Sequence, residues 1–104
     1  MVLNGKMVVV SSHVSEILDE EMIIYNEAYK KIIVLNHTAI VVWNKIIESN
    51  TTNSNIGTFD IVAEIMQIYN VPKCDTNIIY NDVEDAIKLL YEASLLQIPY
   101  EAEK

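Results

Sequence analysis

Few side chains in this sequence of 104 residues are equipped for chemistry. His13 and His37 are the only histidines, and neither stands in a His-x3-His or His-Glu-x-x-His spacing that would turn two ligands toward one metal. Cys74, the lone cysteine, lies in Pro72-Lys73-Cys74-Asp75, with no neighbouring base to generate a thiolate. One cysteine also excludes an internal disulfide and a cysteine-based zinc site. Gly5 and Gly57 are the only glycines, too few for a P-loop or a dinucleotide-binding turn. Glu20-Glu21 and Glu84-Asp85 are adjacent carboxylates, but adjacent side chains on a strand or helix point apart, so they read as solvated charges. Trp43 recurs with apolar residues at helical spacing and reads as core. The residue types point away from catalysis, and no metal or cofactor is expected.

Charge narrows the partners. Seven lysines, no arginine and fifteen acidic residues leave a net charge of −8. Phosphate neutralisation needs clustered Lys and Arg, so neither nucleic acid nor an anionic membrane surface is an expected partner. The apolar run Met7–Val10 is too short for a signal peptide, and no stretch approaches the roughly 18 apolar residues of a membrane span. With 51% apolar and 21% charged residues the chain should fold, and the expectation is a single domain over residues 1–104 with its core at about 7–98. Absence of disulfides suits the cytoplasm. With glycine and proline scarce, Asn, Asp and Ser must make most turns.

The elements fall into two halves. Met7–Ser11 is a short β-branched run. His13–Leu18 alternates and offers Val14 and Ile17 as inward residues. Met22–Tyr25 and Lys31–Leu35 are the next strands, joined through Asp19-Glu20-Glu21 and Asn26–Lys30 into an antiparallel meander. Asn36 or Thr38 can cap a first helix that runs to about Ile47 on Ala39, Ile40, Val42, Trp43, Ile46 and Ile47. Glu48–Gly57 reads as a polar loop. A second helix begins at Gly57 or Thr58, buries Ile61, Val62, Ile65, Ile68 and Tyr69, and stops at Asn70-Val71-Pro72. A third runs from about Asn77 or Ile78 to Ser94, with Ile79, Val83, Ala86, Ile87 and Leu90 on one face. Leu95–Pro99 is a short terminal strand. The expected fold is α+β and winged helix-turn-helix-like: an N-terminal three-stranded antiparallel β-meander, then three α-helices. The third helix carries Asp82, Glu84, Asp85 and Glu92 against Lys88, a sign that phosphates would repel.

What remains is a surface. Lys31-Ile32-Ile33-Val34-Leu35, entered from Lys30, is apolar almost throughout. At a sheet edge it would offer unpaired backbone groups to an incoming strand; in a central position it would be plain core. Beside the core stripe of the third helix runs a second line, Ile78, Asp82, Asp85, Leu89 and Ala93. A strand edge facing that line makes a groove for an extended peptide. The same edge could instead pair with a second copy, giving a homodimer or a structural module, and a winged-helix regulator acting through protein contacts is the other alternative.

The order of these residues resembles the PqqD-like family. Glu21-Met-Ile-Ile-Tyr-Asn, Leu35-Asn36 at the strand-to-helix junction, and Val42-Trp43 in the first helix stand in its places. So do Thr58, Ile61-Val62 and Tyr69-Asn70-Val71, then Asp82-Val83, Ile87, Leu90 and Leu95. The resemblance spans about residues 14–98. It departs at Ala86, where the family usually has Phe, at Ser94, where it has Gly, in a longer loop over Glu48–Gly57, and at Thr58, which stands one residue late as a cap.

The resemblance implies a non-catalytic peptide chaperone, a recognition element for ribosomally made precursor peptides. Such a domain binds the leader segment and presents it to a modifying enzyme, in many cases a radical SAM enzyme. The leader would pair with Lys30–Leu35 as an added strand and pack on the third helix at Ile78, Asp82, Asp85, Ala86 and Leu89. Carboxylates at Asp82 and Asp85 would favour a leader carrying Lys or Arg between large apolar residues.

Overall fold

The structure is a computed structural model that describes residues 8–9, 13–52 and 56–97. Strands β1 (Val8–Val9), β2 (His13–Leu18), β3 (Glu21–Asn26) and β4 (Lys31–Leu35) come first. Helices α1 (His37–Thr51), α2 (Thr58–Ile68) and α3 (Thr76–Glu92) follow, α3 led in by a 3-10 turn at Lys73–Asp75, and β5 (Leu96–Gln97) ends the described chain. β2, β3 and β4 form an antiparallel meander in that order, and β1 pairs antiparallel with β5 as a separate two-stranded ribbon. This is the α+β arrangement expected, with three helices after the three-stranded sheet. The β1–β5 ribbon is additional, and Met7, Val10–Ser11 and Ile98–Pro99 of the two expected terminal strands lie outside the described residues.

The expected economy of glycine is visible in the turns. Asp19, Lys30, Asn70 and Ser94 all adopt left-handed backbone with φ between 55° and 62°. Asp and Asn tolerate this region better than most residues, whereas Lys30 and Ser94 hold it against the usual steric cost. Both α2 and α3 end in the same capping geometry. In α3 the Leu95 amide donates to the Leu90 carbonyl at 3.1 Å and the Ser94 amide to Tyr91 at 3.0 Å. In α2 Val71 donates to Met66 at 2.9 Å and Asn70 to Gln67 at 3.4 Å. These are Schellman closures with Ser94 and Asn70 at the left-handed position, and Leu90 against Leu95 supplies the apolar clasp. At the start of α1, Asn36 is the cap: its Oδ1 accepts the Ala39 amide at 2.9 Å. At α2 the cap is Gly57, whose amide donates to Asp60 Oδ2 at 3.0 Å.

The core gathers Met22, Ile24 and Leu35 from the sheet, Val42, Trp43 and Ile46 from α1, Ile61 and Ile65 from α2, and Val83, Ile87 and Leu90 from α3. Three expectations are corrected here. α1 continues to Thr51 instead of stopping near Ile47, so the first residues of the expected polar loop are helical. Their side chains bond back to the preceding turn, Ser49 Oγ and Asn50 Nδ2 both donating to the Ile46 carbonyl at 2.8 and 2.9 Å, and Ser49 is buried. Ile68 and Tyr69 are exposed rather than buried, because α2 outruns the core at its last turn. On β2, Val14 and Ile17 are exposed at 54% and 61%. Val14 faces the outer side of the sheet in register with Tyr25. Ile17 pairs with Met22 on the inner side, but β2 overhangs the helices there. Among the described residues, no helix is long and apolar enough to cross a membrane.

Candidate functional site

β3 is the central strand of the meander, so β4 is an outer strand. Pairing in a ladder uses alternate backbone groups of each strand, and on β4 the other set faces away from β3, where no described strand takes it up. α3 packs along α2 and α1 and leaves β4 mostly uncovered. Between the start of β4 and the last turn of α3 lies an open pocket of about 270 Å³, lined by Lys31, Ile32, Ile33, Leu89, Glu92 and Ala93. Ile33, Leu89 and Ala93 make it apolar. Lys31 closes one end, its Nζ donating to the Glu92 carbonyl at 3.1 Å, where the negative end of the α3 dipole favours a cation.

Asn26 sets the width of this gap. It is fully buried at the end of β3. Its Nδ2 donates to the carbonyls of Ala93 at 2.8 Å and Ser94 at 3.2 Å, which fastens the hairpin to the end of α3. Its Oδ1 accepts the amides of Ala28 at 3.1 Å and Tyr29 at 3.3 Å, which shapes the turn into β4. All four bonding positions of the amide group are thus engaged, the complete satisfaction that a buried polar side chain requires.

The pocket unites Lys31, Ile32, Ile33, Leu89 and Ala93 of the residues expected from sequence, and it adds Glu92. Lys30 is exposed in the turn, and Val34 is exposed on the outer face of the sheet. Leu35 and Ala86 are buried in the core, so the Leu35 side chain is out of reach of a ligand and Ala86 packs inward instead of bordering the pocket. Asp85, Asp82 and Ile78 are exposed on α3. They stand four, seven and eleven residues before Leu89, about 6, 10 and 16 Å back along the axis at the helical rise. Ala93 stands on the expected line four residues after Leu89, and Glu92, three residues after Leu89, was recoverable from the same spacing. Asn26 carried a weaker signal, a lone amide closing an apolar strand.

The residues considered for catalysis sit elsewhere. His37 Nε2 lies 3.4 Å from Glu20 Oε1 at the surface. His13 packs edge-on to the buried ring of Trp43, with centroids 5.2 Å apart. Cys74 is exposed. The described residues hold no group of three His, Cys, Asp or Glu side chains placed to share a metal ion.

An outer strand whose edge no other described strand covers is thus held beside an amphipathic helix on an α+β winged-helix-like frame, an arrangement of the kind to which an extended peptide can add as a strand. The family model of coenzyme PQQ synthesis protein D (PqqD) matches residues 21–96, from the start of β3 to β5, and the chain belongs to that family. Among solved structures the fold is similar to TbiB1 in complex with the TbiA(beta) leader peptide, with a TM-score of 0.67 and 19% identity over 90% of this chain and 98% of that one. No curated protein compared with the chain gives a significant match.

Proposed function

We propose that this chain is a non-catalytic binding module for the leader segment of a ribosomally made precursor peptide. The observation that carries the reading is the free edge of β4 facing the apolar last turn of α3, in a chain of the PqqD family. The leader lies along β4 as a fourth strand. Main-chain hydrogen bonds to β4 supply affinity, and side chains entering the gap toward Ile33, Leu89 and Ala93 supply selectivity. Asp82 and Asp85 extend the helical wall with negative charge and favour a leader bearing Lys or Arg. The leader-bound module then presents its cargo to a modifying enzyme, for which a radical SAM enzyme is the family precedent. That TbiB1 holds a leader peptide on a similar frame supports this assignment.

The test is a native pull-down of the tagged protein from its own cytosol, read by intact mass spectrometry. Recovery of a short peptide together with a larger enzyme is the expected result. Recovery of the protein alone at dimer mass would overturn the reading and make the β4 edge an assembly surface.

A further inference from the structure

The outer face of the sheet departs from the usual pattern for a meander with one face toward solvent, which is polar at outward positions. Register fixes two rows across it. Val14 pairs with Tyr25 and Tyr25 with Ile32; Glu16 pairs with Ile23 and Ile23 with Val34. Met22, Ile24 and Asn26 of β3 are buried on the inner side, so these rows lie on the outer one. Val14, Ile32 and Val34 are 54%, 65% and 48% exposed, while Ile23 and Tyr25 are partly covered by their neighbours. Single exposed apolar residues need no explanation, but five of these six positions are apolar and contiguous. Both rows end at β4, on the edge to which the added strand would pair.

We infer that the leader strand is read on both of its faces, with its outward residues completing these rows opposite Ile32 and Val34. This rests on the proposed strand addition to β4. A strand added there lies about 4.8 Å away and sends alternate side chains to opposite faces of the sheet. Inward side chains meet Ile33, Leu89 and Ala93. Outward side chains stand about 5 Å from Ile32 and Val34, at the spacing of directly opposed cross-strand pairs. Apolar surface therefore awaits consecutive residues of the segment, those opposite Ile32, Ile33 and Val34, and not only every second one. The ligand is an extended peptide stretch with large aliphatic, β-branched or aromatic residues at these three consecutive positions. The same arrangement accounts for why β4 is apolar on both faces despite lying at the edge of the sheet.

The experiment is selection from a phage-displayed library of random twelve-residue peptides on the immobilised full chain. Three forms are compared: the natural sequence, Ile32→Thr with Val34→Thr, and Leu89→Ser. Threonine keeps the β preference at two exposed positions, and circular dichroism melts verify that each variant is folded. The natural chain should enrich peptides with runs of consecutive apolar residues. On the Thr variant the outward positions should become unrestricted, so that apolar residues recur only at every second place. Peptides selected on the natural chain should bind the Thr variant about threefold to tenfold more weakly, as the loss of two cross-strand pairs implies. Peptides from the natural chain with strict alternation, or undiminished affinity for the Thr variant while Leu89→Ser abolishes binding, would overturn two-face reading and leave peptide binding in the groove intact. No enrichment on any form would overturn both.

Discussion

Replacing Asn26 by Ala should destabilise the fold and loosen the groove together. The side chain is fully buried, and its amide makes four hydrogen bonds to the backbone of two elements that are far apart in sequence. Each such bond contributes about 1 kcal/mol net, and a buried acceptor left without its donor costs about 1–3 kcal/mol. The Ala93 bond is buried, so its carbonyl loses its partner with no water to replace it; the other three bonds are only partly buried, and water recovers part of each. The loss should total about 2–4 kcal/mol, which lowers the melting temperature of a domain this size by roughly 10–25 °C. Asn26→Asp is the sharper probe. It keeps the acceptor for the Ala28 and Tyr29 amides and turns a second oxygen toward the Ala93 and Ser94 carbonyls. Burial and these carbonyls would raise the folded-state pKa of that carboxyl above its unfolded value. A raised pKa contributes stability in the protonated form, so the variant should gain stability as pH falls through the folded pKa, when a donor is restored, and lose it as pH rises. The assay is thermal unfolding by circular dichroism at several pH values, with leader binding measured at a temperature where all forms are folded. An Asn26→Ala variant within about 0.5 kcal/mol of the natural protein, the range of ordinary surface substitutions, would refute the clamp. So would an Asn26→Asp variant that melts like the natural protein at neutral pH.

Other consequences follow from the same contacts. Ser94→Gly should stabilise the protein by about 0.5–1 kcal/mol, because glycine relieves the left-handed strain at the α3 cap; chemical denaturation measures it. Ile32→Pro and Ile33→Pro should separate, since alternate β4 amides face β3 and the free edge. One should lower stability and the other should weaken leader binding with a smaller change in melting temperature. Reversing Asp82 and Asp85 to Lys should weaken binding of a basic leader by about 1 kcal/mol in all, roughly fivefold in Kd, with the difference shrinking as salt is added. Leader binding unchanged by that double reversal would remove the acidic wall from the recognition surface.

Much of this fold is written locally. The helix starts at Asn36 and Gly57, the stop at Asn70-Val71-Pro72 and the left-handed need at Ser94 each depend on residues within a few positions of one another. A reader of the chain can recover them from caps, periods and turn chemistry. The core stripe of α3 and the second line through Leu89 and Ala93 follow from spacing alone, and Glu92 was within reach of the same rule. The end of α1 was less legible, because Ser49, Asn50 and Thr51 look like loop residues until their side chains are seen bonding to the turn before them.

The sequence by itself determined the element types, the order of strands and helices, the negative charge, and an apolar β4 with a second line on α3. Only the tertiary structure decided that β4 is an outer strand, that Ile68, Tyr69, Val14 and Ile17 stay in solvent, and that Leu35 and Ala86 are spent on the core. It alone placed Asn26 against Ala93 and Ser94, 67 and 68 residues away. The physical reason is range. Helical period, capping and backbone strain act over one turn of chain, whereas burial and the satisfaction of a buried amide depend on which distant element arrives opposite, and that is fixed only when the chain closes on itself.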